Sequence, residues 1–226
     1  MKTFIVIGGV AAGHFAAINA AEQHANLKVI ILEASSKVLQ KVKVSGGGRC
    51  NVTNACFEPK ELVKNYPRGQ KELRGPFHQF ITSDMMSWLE NRGVPLKIEA
   101  DNRVFPKSNS SRSFINCFLN QADKFGVELL INHRASAIEK KESTFEITTP
   151  NKIFKANHLL IATGSSPKMF PINKNLDHTI VAPVPSLFTF NIVDKRLKDN
   201  MELSLSFGRL FLFCWVSMPN CIILIF

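Results

Sequence analysis

The sequence predicts an α/β fold with a parallel central sheet and a small antiparallel β-meander. Three observations carry this. Thr3 to Ile7 is a short apolar run, rich in β-branched residues, that stops at Gly8-Gly9, as a buried parallel strand entering a tight turn does. Ala11 to Glu22 is Ala-rich and helix-prone, and Lys28 to Leu32 is a second buried strand closed by Glu33. Far downstream, His158 to Ala162 repeats the buried-strand pattern and ends at Thr163-Gly164.

The elements follow in order. Phe15, Ile18 and Ala21 give the first helix side chains to pack. Ser35 to Asn54 reads as a glycine-rich loop, and Glu58 to Gly75 as polar, basic and irregular or weakly helical. Ser83 is the expected N-cap of a helix carrying Met85, Met86, Trp88 and Leu89, with Gly93 as its stop. Arg103-Val104-Phe105-Pro106 reads as a strand end and turn. Ser110 or Ser111 caps a helix whose stripe is Phe114, Ile115, Phe118, Leu119, Ala122 and Phe125, closed by Gly126. Val127 to Ile131 is a strand, and Ala135 to Lys140, Thr144 to Thr149 and Ile153 to Lys155 form the meander. Beyond Pro167 the pattern loosens. Leu210 to Phe226 carries no charge but is broken by Pro219 and Asn220, so a buried hairpin or an aberrant tail is expected rather than a membrane span.

Composition narrows the function classes. Hydrophobic content of 45% and charged content of 20% suit a globular protein. The formal charge of +10 favours anionic ligands, but no nucleic-acid motif accompanies it, so no nucleic-acid partner is expected. Cys50, Cys56, Cys117, Cys214 and Cys221 form no CxxC pair, which argues against a metal site and suits a reducing compartment. Met1-Lys2-Thr3 runs straight into a strand, so no signal peptide is read and a cytoplasmic location is expected.

Three constellations carry chemistry. Gly8-Gly9-Val10-Ala11-Ala12-Gly13 with Glu33 has the spacing of a dinucleotide fingerprint. Gly8 permits the turn, Gly13 lets the helix approach the sheet, and the helix N-terminus offers N–H groups to a pyrophosphate. Glu33 can accept hydrogen bonds from a ribose hydroxyl. Val10 stands where the middle glycine is expected, so its side chain should crowd the phosphates or require a shifted backbone. The second constellation is Ser45 to Asn54. Its three consecutive glycines suit close ligand approach, and Arg49 suits a phosphate or a flavin carbonyl. The third is Ala162-Thr163-Gly164, at the sheet edge where open α/β sheets bind ligands. Cys50 is expected as a packed loop residue rather than a redox thiol. His14 is expected on the helix surface, and Phe77, Phe80 and Trp88 in the core.

Together, Ser45 to Asn54, Arg103 to Ser108 and Ala162 to Gly164 resemble the bacterial aminoacetone-oxidase-like FAD-binding flavoproteins, whose relatives include a bile-acid 3-dehydro-4,6-dienoyl reductase. The resemblance covers about Lys2 to Phe190. It implies a Rossmann-like FAD-binding domain of the two-dinucleotide-binding flavoprotein type. It also implies a truncated chain: residues 1–190 would be the N-terminal part of the FAD domain, and residues 191–226 the start of an inserted domain or an aberrant apolar tail. On this reading Gly8, Gly9, Ala12 and Gly13 lie under the pyrophosphate and Glu33 holds the adenosine ribose. Gly47, Gly48, Arg49, Cys50 and Asn51 approach the ribityl or isoalloxazine portion. Ala135 lies beside the adenine, with Ala162, Thr163 and Gly164 along the diphosphate. No catalytic acid or base is implied.

The expected function is therefore an FAD-dependent oxidoreductase, passing a hydride to a small organic or enone-type substrate with NAD(P)H as donor. The alternatives are an inactive flavoprotein fragment and a nicotinamide-binding Rossmann module.

Overall fold

The computed structural model describes residues 1–66 and 69–181, together with the backbone of Trp215–Met218 and Cys221–Leu224. Strand β1 (Lys2–Ile7), helix α1 (Ala11–Gln23) and strand β2 (Leu27–Leu32) form the opening unit, within a residue or so of the sequence reading. β1 lies parallel to β2 on one side and to β10 (His158–Ile161) on the other. β6 (Glu128–Leu130) extends the sheet beyond β2. Beyond β10 come β12 (Cys221–Leu224) and, antiparallel to it, β11 (Trp215–Met218). The full order is β11-β12-β10-β1-β2-β6.

Side chains alternate across a strand, so each buried strand serves two cores. Val6, Val29, Ile31 and Leu160 face a cluster shared with α1 and α6 (Ser111–Lys124). Ile5, Ile7, Ile30, Leu32, Leu159 and Ile161 face a second cluster, which the meander closes with Ile138, Phe145, Ile147 and Phe154. The meander is β7 (Ala137–Lys141), β8 (Thr144–Thr148) and β9 (Ile153–Ala156), all antiparallel. Continuous apolar runs in β1, β2 and β10 are therefore required, since both faces are covered.

Between β2 and α6 the chain makes an excursion: α2 (Gln40–Val44), β3 (Thr53–Asn54), α3 (Pro59–Leu62), a 3₁₀ turn (Val63–Asn65), α4 (Gln70–Gln79), α5 (Thr82–Glu90), β4 (Leu96–Ile98) and β5 (Arg103–Pro106). β3, β5 and β4 form a separate antiparallel sheet. One reading changes here and another is narrowed. The stretch from Ser35 to Asn54 holds a short helix as well as the loop, and the basic stretch from Glu58 to Gly75 is largely helical.

Helix ends follow local chemistry. The Ser110 hydroxyl accepts the Arg112 N–H (3.3 Å), so Ser110 is the N-cap of α6. α5 begins before Ser83, because the Asp84 carboxylate accepts the Ile81 N–H at 2.7 Å and makes Ile81 the N-cap. Trp88 is buried and its indole N–H donates to Asn19 on α1 (3.0 Å). Phe80, expected in the core, is 41% exposed, although its ring packs against Phe15. After β10 the chain forms α7 (Met169–Lys174). The expected boundary near residue 190 lies outside the described residues, as do the side chains of the apolar tail. Among the described residues, no helix is long and apolar enough to cross a membrane.

Candidate cofactor site

The carboxyl ends of β1, β2, β6 and β10 meet at one edge of the sheet. Gly8 leaves β1 at φ +111°, which a side chain tolerates poorly, and its N–H donates to the Leu32 carbonyl (2.9 Å). A Cβ on Gly8 would overlap the Ala162 carbonyl. A Cβ on Gly13 would overlap the Gly8 carbonyl oxygen. The two glycines therefore let the turn press on β10 and let α1 press on the turn. That brings the first and third sequence constellations into contact.

Val10 is the N-cap of α1, at φ −101° and ψ −176°. This is ordinary extended backbone, so the turn does not need glycine torsions at that position. No side chain caps α1 and its first turn holds no acidic residue. Its first N–H groups thus remain for a ligand, and the helix dipole favours an anion there.

Glu33 stands at the end of β2. One carboxylate oxygen accepts the Gly9 N–H (2.7 Å), and the other accepts the Ser35 N–H (2.9 Å) and hydroxyl (2.8 Å). These bonds aim the carboxylate across the glycine turn and leave lone pairs for a hydroxyl donor. The segment after β6 runs alongside: the His133 N–H donates to the Glu33 carbonyl (2.8 Å) and Asn132 to Ser35 (3.1 Å). Ala135 follows, buried in the meander-side core. On the other side Ala162 is buried and its N–H donates to Ile7 (2.8 Å), with Thr163 and Gly164 partly exposed beyond it. Two neighbours were not signalled by the fingerprint. The Leu39 N–H donates to the Gly9 carbonyl (3.0 Å), and Val38 packs where a Gly9 side chain would go.

The Ser45–Asn51 loop hangs on different supports. Gly46, Gly47 and Gly48 all have positive φ, from 56° to 81°. A Cβ on Gly46 would fall 2.7 Å from the Asn51 nitrogen and 2.8 Å from the Phe105 ring, so only glycine fits. At Gly47 a Cβ would meet nothing within 4 Å, so the loop tip is open. The Ser111 N–H donates to the Gly48 carbonyl (2.9 Å), and the Ser111 hydroxyl to Lys43 (3.1 Å). Arg49 lies with its guanidinium carbon 4.0 Å from the Phe105 ring centre and donates to Glu99 at 2.7 Å. Asn51 is exposed. Cys50 is buried, and burial pushes its thiol up to about 11, which suits packing rather than redox work.

His14 corrects the surface reading. It is fully buried beneath α1, edge-on to Phe118 at 6.4 Å. Its Nδ1 lies 3.2 Å from the Val10 carbonyl, while Nε2 has no partner. Helical spacing alone did not show that α6 would cover this face.

Comparisons with known proteins agree with this architecture. A family model described as "HI0933-like protein Rossmann domain" matches residues 2–208. A 3-dehydro-bile acid delta(4,6)-reductase from Clostridium scindens is 24% identical over 200 residues, covering 85% of this chain and 48% of that protein. A ribosomal RNA dihydrouridine synthase from Escherichia coli is 26% identical over 160 residues, covering 71% and 38%. The chain thus spans about half or less of the length of these curated relatives. Among solved structures, the open conformation of a flavocytochrome c3 fumarate reductase superposes with TM-score 0.55 at 19% identity, covering 72% of this chain and 34% of that one. At that identity the likeness is one of fold.

Proposed function

The chain belongs to the HI0933-like Rossmann-domain family, and from that membership and the site's geometry we propose that it binds FAD as part of a flavin-dependent oxidoreductase. One observation carries the reading: the uncapped first turn of α1 meets the glycine turn at the sheet's carboxyl edge, beside a carboxylate fixed at the end of β2. The residues present fit FAD. The free N–H groups of α1, around Ala12 and Gly13, would take the pyrophosphate, with Gly8 and Gly9 beneath it. Glu33 would accept from the adenosine ribose, Ala135 would border the adenine, and Ala162, Thr163 and Gly164 would flank the diphosphate. Gly47, Gly48, Arg49, Cys50 and Asn51 would form the wall near the ribityl chain and ring. Bound flavin supplies hydride chemistry; the chain holds it, orients it and excludes water.

We further propose a substrate with a carbon–carbon double bond conjugated to a carbonyl, with NAD(P)H as donor. Both curated relatives have names that describe reduction of such a bond, one in a bile acid and one in uridine. A small enone is the first reading. RNA is the second, favoured by charge: residues 34–80 hold nine Lys and Arg against three Glu, more than half of the net charge. A nicotinamide-only module has no evident use for the Ser45–Asn51 loop.

Titrating refolded protein with FAD, followed by flavin fluorescence, tests the cofactor reading. Saturable binding is expected, with bleaching of the visible flavin band on anaerobic addition of NADH or NADPH. Val10→Gly should tighten binding several-fold without destabilising α1, since glycine outranks valine as an N-cap. If neither protein takes up flavin, the reading is lost.

A further inference from the structure

Glu99 lies far in sequence from the glycine loop and belongs to the β4–β5 hairpin, yet three cations converge on it. Arg49 Nη1 is 2.7 Å from Oε1, Lys97 Nζ is 3.3 Å from the same oxygen, and Arg103 Nη2 is 3.9 Å from Oε2. Arg49 first, then Lys97, hold the Glu99 carboxyl below its ordinary range. Arg49 is only partly exposed, and its flat guanidinium covers the face of buried Phe105 while Gly46 abuts the edge of the same ring. The exit of the loop is tied to the same strand, since the Val52 N–H donates to Val104 (2.9 Å) and Thr53 pairs with Val104. The base of the loop is thus seated on the small antiparallel sheet, not on the parallel one, while its tip at Gly47 stays open.

A guanidinium on an aromatic face can slide along it. A bonded carboxylate at its end fixes direction as well as distance. We propose that Glu99 is a positioning residue for the cofactor loop: by holding Arg49 across Phe105 it fixes the Gly46–Asn51 backbone that faces the flavin. The proposal rests on the FAD reading for its functional consequence, but the clamp itself is a property of the chain without cofactor. Glu99 acts only through Arg49. Lys97 and Arg103 share its charge, and Arg103 also lies over the Phe105 ring at 5.5 Å.

The test uses Glu99→Ala, Glu99→Gln, Arg49→Ala, the Arg49→Ala/Glu99→Ala double variant and Lys97→Ala as a control. In FAD-free protein, amide exchange at Gly48, Arg49 and Cys50 should quicken about fivefold in Glu99→Ala, as expected for loss of a partly exposed ion pair. Glu99→Gln keeps a hydrogen bond and should fall between Glu99→Ala and the parent protein. In the Arg49→Ala background Glu99→Ala should add nothing, and Lys97→Ala should leave the loop amides unchanged. With FAD, the same order should appear in the dissociation constant and in the visible band of the bound flavin, which a general loss of stability would not move. Unchanged loop exchange in Glu99→Ala, or an undiminished effect in the Arg49→Ala background, overturns the proposal. A parent protein that binds no FAD sinks the cofactor reading alone, because the exchange result still decides the clamp.

Discussion

Position 14 places an imidazole where α1 meets α6, with one nitrogen buried and without a protein partner. Burial lowers the His14 pKa below 6.5, against weaker opposing pulls from the Val10 carbonyl and the Glu33 charge. The unfolded chain therefore binds a proton near pH 6.5 that the folded chain refuses. Stability from this group is complete above that pH and declines as pH falls below it, until the lowered folded value is reached. His14→Leu removes both the proton uptake and the orphaned nitrogen. The urea midpoint of the parent should drop between pH 7.5 and pH 5.5, and that of His14→Leu should drop less; equal drops would contradict the burial account. Residue identity showed Gly8, Gly13 and Glu33 plainly, because each answers a local demand of turn, close approach or acceptor. It could not show His14, Leu39 or Glu99, whose roles come from elements that arrive later in the chain.

Among the elements, the opening strand, helix and strand and the three-stranded meander were legible, since their apolar periods match burial on two faces or one. Within the excursion α5 and β5 were legible too, but α2 and α4 were not. α2 is a single short turn with few apolar positions, and α4 carries Gly75 and Pro76 in its interior with no buried residue. Both break the helical pattern that a sequence reading depends on. Pro76 stands inside α4, where its ring offers no N–H to the helix. Pro76→Ala should therefore stabilise the protein by roughly 1–3 kcal/mol. Thermal melting checks it, and a lowered midpoint would show that α4 does not hold this helical geometry in solution.

At the scale of the whole molecule, charge is unevenly shared. In the excursion Lys37, Lys41, Lys43, Lys60, Lys71 and Arg74 are exposed and, among the described residues, outside any ion pair. Within it Arg49 and Arg92 are each matched to a glutamate, as are Lys28, Lys141 and Lys155 outside it. If RNA is the substrate, its retention should fall steeply with salt, and the slope should flatten when Lys37, Lys41 and Lys43 become glutamine. A salt-insensitive or absent interaction would leave the small enone as substrate. The central sheet adds a matter of timing. β1 stands between β2, some 25 residues on, and β10, whose neighbour Asn157 accepts the Thr3 N–H at 2.8 Å across 154 positions. The glycine turn gains its Ala162 wall only when that distant strand docks. On a ribosome adding about 5–20 residues per second, the first strand would wait on the order of ten seconds with one side bare. A cradle whose glycine turn leaves the ribosome long before β10 is thus among the last parts of the domain to close, and a chaperone has that interval in which to shield it.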